Sequence, residues 1–137
     1  MRLLAQSNDD LQIISAMAQD AVTRVGDISH DRKSRQLILA MNRFCWERGR
    51  KTAPARARSA LQIESVISIK AKGIAMGKKN GILSLLALEF TEDEAPGGVL
   101  TITFSDGGAL AVAVECLDVA LVDISTPWGA KSRPKHG

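Results

Sequence analysis

The last third of the chain alternates between apolar and small or polar residues, and this pattern constrains the fold more than any other feature. The alternation runs from Leu100 to Phe104 and resumes from Leu110 to Cys116. A period of two residues is typical of a β-strand that buries one face. The segment Asp106-Gly107-Gly108 between the two runs consists of turn-forming residues, so the sequence predicts a β-hairpin.

The register of this hairpin follows if the buried residues of both strands share one face of the sheet. We therefore expect a three-residue loop made of Asp106, Gly107 and Gly108, in which Gly108 is the left-handed bulge residue. The facing pairs in this register are Leu110 with Phe104, Val112 with Ile102 and Val114 with Leu100.

The strand that follows the hairpin cannot be continuous, because its apolar positions change from even to odd numbers. Cys116 is the last apolar residue of the even series, whereas Leu117, Val119 and Leu121 are odd. Successive side chains of a strand point to opposite faces, so this change requires a bulge or a tight corner. We expect it at residues 115–117.

One amphipathic helix is predicted near the N-terminus. Ser7 or Asn8 can cap it, and Asp9 and Asp10 follow in the first turn, where the helix dipole favours carboxylates. We expect its apolar stripe to cover one face of a sheet. The residues of that stripe are Leu11, Ile14, Met17, Ala18 and Ala21.

The rest of the chain contains further strand-like runs, and no alternation of strands and helices favours a parallel sheet. We expect a short strand at residues 2–6, an irregular or edge strand at 23–30, and central strands at 36–46 and 82–90. Residues 59–71 form either one long strand or two strands broken near Glu64 and Ser65. The predicted fold is α+β and mainly antiparallel β: a curled sheet or partly open barrel of seven to eight strands with one N-terminal helix.

A length of 137 residues is typical of one domain. We expect a globular domain at residues 1–125 and a partly mobile tail at 126–137, with Trp128 docked on the sheet. Cys45 and Cys116 lie far apart in no metal-binding motif, so both are predicted to be reduced, although strands that are neighbours would also allow a disulfide between them. No apolar run is long enough to span a membrane, which favours a soluble cytoplasmic protein.

Catalytic and metal-binding motifs are not found in the sequence. Its two histidines, His30 and His136, lie in the suspected edge strand or turn and in the tail, where neither has a nucleophile and an orienting group around it. No His, Cys or carboxylate residues show the spacing of metal ligands. The sequence therefore predicts a non-enzymatic protein that needs no metal and no cofactor.

Positive charge is concentrated between residues 43 and 58, where six basic residues accompany a single acidic one, Glu47. Basic residues beside the aromatic Phe44 and Trp46 are a combination found in proteins that bind single-stranded nucleic acid. Both aromatic residues also fit the apolar pattern of a central strand, so a solvated loop is the competing interpretation. The candidate polyanion-binding residues are Arg48, Arg50, Lys51, Arg56 and Arg58.

A second candidate site consists of polar residues that lie among strongly apolar neighbours. Asn42, Arg43 and Glu115 form this candidate polar pocket, and Asp20 is a further polar residue of the same kind. Such groups either satisfy local partners as part of the fold or line a site assembled from residues distant in sequence.

The chain contains, in order, the segments DLQIISA (residues 10–16), QDAV (19–22), NRFCWE (42–47), ILSLLAL (82–88) and VECL (114–117), with Asp123 and Pro127 downstream. These segments span nearly the whole chain. They resemble a family of short alphaproteobacterial proteins that carry a single domain of unknown function. The resemblance implies no activity, ligand or catalytic residue.

The function that these observations favour is that of a non-enzymatic cytoplasmic module that binds a protein or peptide partner. Addition of a partner strand at an edge such as residues 23–30 is the expected mechanism. The alternative is weak RNA or DNA binding through the basic loop at residues 48–58. An exposed sheet edge would also make a homodimer possible, and no membrane association is expected.

Overall fold

The computed structural model describes the backbone of residues 1–45, 55–124 and 128–129, and the side chains of residues 1–43 and 57–124. Ten strands and one helix are assigned in this part of the chain. In chain order they are β1 (Arg2–Ala5), α1 (Asn8–Ala18), β2 (Val22–Asp31), β3 (Gln36–Cys45), β4 (Ala55–Ile63), β5 (Val66–Lys72), β6 (Ile82–Glu92), β7 (Gly98–Phe104), β8 (Ala109–Val114), β9 (Val119–Asp123) and β10 (Trp128–Gly129).

The strands form one open sheet in the order β1-β9-β4-β3-β2-β6-β7-β8-β5, and the short β10 pairs with β4. Every pairing is antiparallel. The predicted antiparallel architecture with one helix is thereby confirmed. The strand count exceeds the predicted seven to eight, because the corners divide two runs into separate strands and because the two-residue β10 is added.

Two corners fold the sheet into two halves. Ser65 lies between β4 and β5 with a positive φ of 57°, and residues 115–118 separate β8 from β9. The corners are joined to each other, since Glu115 N donates to Ser65 O at 3.0 Å and Glu64 N donates to Asp118 O at 3.0 Å. Both breaks occur where the sequence predicts them.

A single hydrophobic core lies between the two halves of the sheet and under the helix. Leu39 and Leu61 contribute to it from one half, Ile102 and Val112 from the other, and all four are fully buried. At about 25 cal/mol per Å² of buried apolar surface, such side chains stabilise the fold by about 1.5–3 kcal/mol each. The interior is thus filled by side chains contributed by both halves.

The helix α1 follows its predicted cap. Ser7 Oγ accepts a hydrogen bond from Asp10 N at 3.3 Å, and Leu11, Ile14 and Ala18 are buried. Met17, predicted as part of the stripe, is 39% exposed. With 11 residues α1 is too short to cross a membrane, and the described residues contain no helix able to do so.

The hairpin of β7 and β8 forms as predicted, but its register is wrong by two residues. Leu110 faces Ile102 and Val112 faces Leu100. The loop residue with a positive φ is Gly107, at 99°, and not Gly108. Asp106 Oδ1 accepts a hydrogen bond from Gly108 N at 3.0 Å, and the turn ends one residue earlier than predicted. A shift of two residues keeps every side chain on its face, so the predicted burial still holds.

Strand β2 is irregular as predicted, with a register shift between Thr23 and Ile28. It is an edge strand only in part. Val22 and Thr23 are paired with both β3 and β6, and Arg24 is paired with β6. The turn before β6 accepts hydrogen bonds from the next two residues, Val25 and Gly26. The predicted edge at residues 23–30 is therefore wrong for its first half, while from Ile28 onward the described ladder pairs β2 with β3 alone.

Candidate functional site

The sheet ends at β5, and a cleft of about 480 Å³ lies between this strand and the far end of β2. The cleft brings an open strand edge together with basic side chains from the β2–β3 turn. The lining residues are His30, Arg32, Arg35, Val66, Ile67, Ser68 and Ile69.

Two residues in the left-handed region, one lining the cleft and one directly before β5, lie where the strands β3 and β5 begin. Arg35 has a φ of 60° and Ser65 a φ of 57°. Each costs roughly 1–2 kcal/mol relative to a right-handed conformation, and such residues cluster where a fold positions a functional surface. Arg35 O accepts a hydrogen bond from Val66 N at 2.9 Å. This contact fixes the start of β5 against the start of β3.

The carboxylate of Asp31, between the lining residues His30 and Arg32, accepts hydrogen bonds from its own turn. Asp31 Oδ1 accepts from Lys33 N at 3.0 Å and from Ser34 N at 3.4 Å. The backbone hydrogen bond from Ser34 is the main cause that lowers the pKa of Asp31 below its ordinary value, followed by the Ser34 side chain and the Lys33 backbone. Arg32 is exposed, and among the described residues no carboxylate pairs with it.

Glu115 pairs with Arg35, one of the residues that line this cleft, and does not lie with the other two residues of the predicted polar pocket. Its Oε2 is 2.7 Å from Arg35 Nη2, and the two side chains are 55% and 45% exposed. Asn42 lies seven residues farther along β3 from Arg35, a distance of roughly 23 Å in an extended strand. The structure therefore does not bring Glu115 together with Asn42 and Arg43.

Arg43 instead forms a buried ion pair with Asp123. Arg43 Nε donates to Asp123 Oδ1 at 3.0 Å and Nη2 donates to Oδ2 at 2.8 Å. Ser59, which is fully buried, donates its hydroxyl to Oδ1 at 2.7 Å. Arg43 is only 4% exposed. Two donors from one guanidinium to one carboxylate form a bidentate pair, and loss of either partner would leave an uncompensated buried charge.

The environment of Asp123 sets its charge. Burial raises the pKa of Asp123, but hydrogen bonds from Arg43 and Ser59 and the charge of Arg43 outweigh burial, so that this pKa lies below its ordinary value. A carboxylate that holds its charge so firmly is a poor general base near neutral pH.

Asn42 points to the opposite face of β3 and shares a pocket of about 370 Å³ with Arg58. Arg58 Nη1 donates to Asn42 Oδ1 at 3.2 Å, and Nη2 lies 3.5 Å from Asp27 Oδ2. Arg24 lines the same pocket. The sequence analysis missed Arg24, because only the pairing of β2 with β3 places it beside a residue of β4.

Most of the predicted polyanion-binding residues cannot be placed. Arg48, Arg50 and Lys51 lie outside the described residues, as do the side chains of Arg56 and of Cys45. The backbone of Trp128, in β10, pairs with that of Arg56 in β4, and the rest of the predicted tail, apart from Gly129, lies outside the described residues. Cys116 is a free thiol. In the part of the chain that the structure describes, no three His, Cys, Asp or Glu residues are grouped to hold a metal ion.

Comparison with known proteins gives a family. The family described as "Protein of unknown function (DUF2948)" matches residues 1–136. No curated protein and no solved structure matches the chain. The match spans nearly the full length, in agreement with the resemblance seen in the sequence, and the chain therefore belongs to the DUF2948 family of proteins of unknown function.

Proposed function

We propose that this protein is a non-enzymatic interaction module that takes up an extended segment of a partner protein as an additional strand on β5. The observation that carries the proposal is the open outer edge of β5 beside the 480 Å³ cleft. Strand addition gains its affinity from main-chain hydrogen bonds and its specificity from pockets for alternate side chains. The free thiol of Cys116 supports a reducing location such as the cytoplasm.

The edge of β5 has the groups that such a segment needs. On one side the strand is paired with β8. On its other side the described residues provide one backbone hydrogen bond, from Val66 N to Arg35 O. Buried backbone groups require partners, whereas those of an edge strand remain available to an incoming chain. Residues 67–72 therefore present a row of backbone groups along the outer edge of the sheet, and residues 67–69 of this row line the cleft.

The side chains of β5 add apolar contact to this edge. Ile67 is 59% exposed in the cleft, and Ile69 is half-buried against the core. Burying an isoleucine side chain contributes about 1.5–3 kcal/mol, which adds to the main-chain hydrogen bonds. Strand addition here would cover an apolar side chain that is otherwise in water.

A library of linear peptides, unbiased in composition, tests the proposal. We expect enriched peptides that slow backbone amide hydrogen exchange in β5. Ile67→Gln should weaken their binding, because it removes the apolar contact while keeping the size and charge of the side chain. Ile82→Gln is the matched control, since Ile82 is 60% exposed on β6 and does not line the cleft. Failure to enrich any peptide, or binding that leaves exchange in β5 unchanged, would contradict strand addition.

A second candidate function, weak binding of single-stranded nucleic acid, is favoured by one observation. Arg24 and Arg58 line one pocket with the amide of Asn42, on strands that adjoin the basic stretch 48–58. Guanidinium and amide groups bind phosphate oxygens. This function predicts affinity for a short oligonucleotide at about 50 mM salt that falls steeply at about 200 mM. Replacing Arg50, Lys51 and Arg56 together by Ala should weaken it, and absence of binding at the lower salt concentration would exclude it.

A further inference from the structure

We infer that the segment added to β5 is acidic, with carboxylate side chains at every second residue and apolar side chains between them. This inference rests on the proposed strand addition and names the class of partner. Its basis is the charge of the cleft and the alternation of side chains along β5.

The charge around the β5 edge is predominantly positive. Arg32 and Arg35 line the cleft, and no acidic residue does. Lys70 and Lys72 lie on β5 itself, exposed, and among the described residues neither is in an ion pair. Three carboxylates near this edge already have partners: Asp31 accepts hydrogen bonds from its own turn, Glu115 pairs with Arg35, and Glu64 accepts a hydrogen bond from the amide of Gln36. An incoming carboxylate therefore meets Arg32, Lys70 and Lys72, which have no ion-pair partner among the described residues.

The alternation of side chains along β5 predicts which positions of the partner segment carry carboxylates. Lys70 and Lys72 are two residues apart and share one face, opposite to that of Ile69, which packs against the core. Residues directly opposite on a neighbouring strand have Cβ atoms about 4.5–5.5 Å apart, within reach of an ion pair. A guest strand in this position places two of its side chains, also two residues apart, next to the lysines. Carboxylates fit there, and apolar residues fit on the face of Ile69.

The same lysines disfavour a second copy of this chain as the guest. If two β5 strands paired with each other, Lys70 and Lys72 of one copy would lie close to their equivalents in the other. Like charges opposite each other destabilise a strand pair, and edge lysines commonly prevent self-pairing in this way. The lysines thus disfavour pairing of β5 with a second copy of this chain and favour pairing with an acidic segment.

Three capped eight-residue peptides of alternating composition test the inference by fluorescence anisotropy: valine alternating with glutamate, with glutamine or with lysine. We expect the glutamate peptide to bind about tenfold more tightly than the glutamine peptide, since two exposed ion pairs contribute to it. The double variant Lys70→Glu/Lys72→Glu should lose about that factor for the glutamate peptide and gain affinity for the lysine peptide. Lys78→Glu/Lys79→Glu is the matched control, because it reverses two exposed charges in the turn before β6, and it should change affinity by less than about twofold.

The outcomes separate this inference from the function on which it rests. Equal affinity for the glutamate and glutamine peptides, with slowed amide exchange in β5 for both, would overturn the acidic preference and leave strand addition standing. No binding of any peptide, with unchanged exchange in β5, would overturn both. Self-association that slows exchange in β5 without peptide, measured together with sedimentation, would assign the edge to a second copy and contradict the inference.

Discussion

An arginine–carboxylate pair lies near each end of β3, and the two pairs differ in their exposure to solvent. At one end Arg43 binds Asp123 at 2.8 Å, and Arg43 is 4% exposed. At the other end Arg35 binds Glu115 at 2.7 Å, with both side chains about half exposed. The distances are nearly equal, so solvent makes the difference. A buried guanidinium must keep its partner for the protein to fold, whereas an exposed one loses little on exchanging its partner for a ligand.

This difference identifies which charges are available for recognition. Arg43, Ser59 and Asp123 bind one another inside the protein, and the N-terminal amine of Met1 lies 3.7 Å from Asp123 Oδ2. The cations around the cleft face water, and among the described residues their one ion pair is the exposed contact of Arg35 with Glu115. Charge at the buried end therefore contributes to stability, and charge at the exposed end is available for binding.

Replacing Arg43 by Met tests the buried end most severely. The substitution leaves Asp123 buried without its main partner, and we expect the free energy of unfolding to fall by about 3–5 kcal/mol. Urea denaturation monitored by circular dichroism measures this loss. The double variant Arg43→Met/Asp123→Asn should lose less than Arg43→Met alone, because it removes the uncompensated charge. A loss below about 1 kcal/mol would place the buried pair in the same class as the exposed one.

Acid should weaken the buried end through Asp123. Its pKa is lower in the folded protein than in the unfolded chain, so its contribution to stability is complete above about pH 4, the unfolded value, and is lost as pH falls through the folded pKa. The loss should be smaller than that of Arg43→Met, since a neutral carboxyl still accepts hydrogen bonds.

Urea denaturation between pH 7 and pH 2.5, with Asp123→Asn as the reference, isolates this contribution. Asp31 also has a lowered pKa and titrates in the same range in both proteins, so only the difference between the two curves reports Asp123. Parallel curves for the two proteins would contradict the assignment.

Removing the hydroxyl of Ser59 should have an intermediate effect. Ser59→Ala deletes the 2.7 Å hydrogen bond to Asp123 but leaves both contacts from Arg43. We expect a loss of about 1–2 kcal/mol and an acid transition displaced toward higher pH, because one of the causes that lower the pKa of Asp123 is gone. Titration of Asp123 by NMR measures the second effect, and an unchanged titration would show that Ser59 does not stabilise the charge.

The smallest change in stability is expected at the exposed end. Glu115→Gln removes the partner of Arg35, and the free energy of unfolding should change by less than about 1 kcal/mol. Binding of the glutamate peptide should become tighter, because Arg35 no longer has an internal competitor. A large loss of stability, or weaker peptide binding, would show that the exposed pair is structural and would remove the contrast between the two ends.

Local patterns predicted the elements and their faces well. A parity change located the corner at residues 115–117, the break near Glu64 and Ser65 was one of two alternatives, and the cap at Ser7 located the start of α1. The hairpin register was wrong, since a shift of two residues satisfies the same alternation. Asn42 and Arg43 were correctly singled out as polar groups within an apolar strand, but as adjacent residues they point to opposite faces and belong to different surroundings.

The sequence by itself determined the periodicity of the strands, the single amphipathic helix in the described residues and the places where strands must turn, because these depend on residues close together in the chain. The tertiary structure decided which edges remain open and which charges are neutralised. Arg43 and Asp123 are 80 residues apart, and the cleft joins the β2–β3 turn to β5. The ion pair and the cleft both depend on how strands distant in the chain pair with each other. Patterns among neighbouring residues do not predict that pairing.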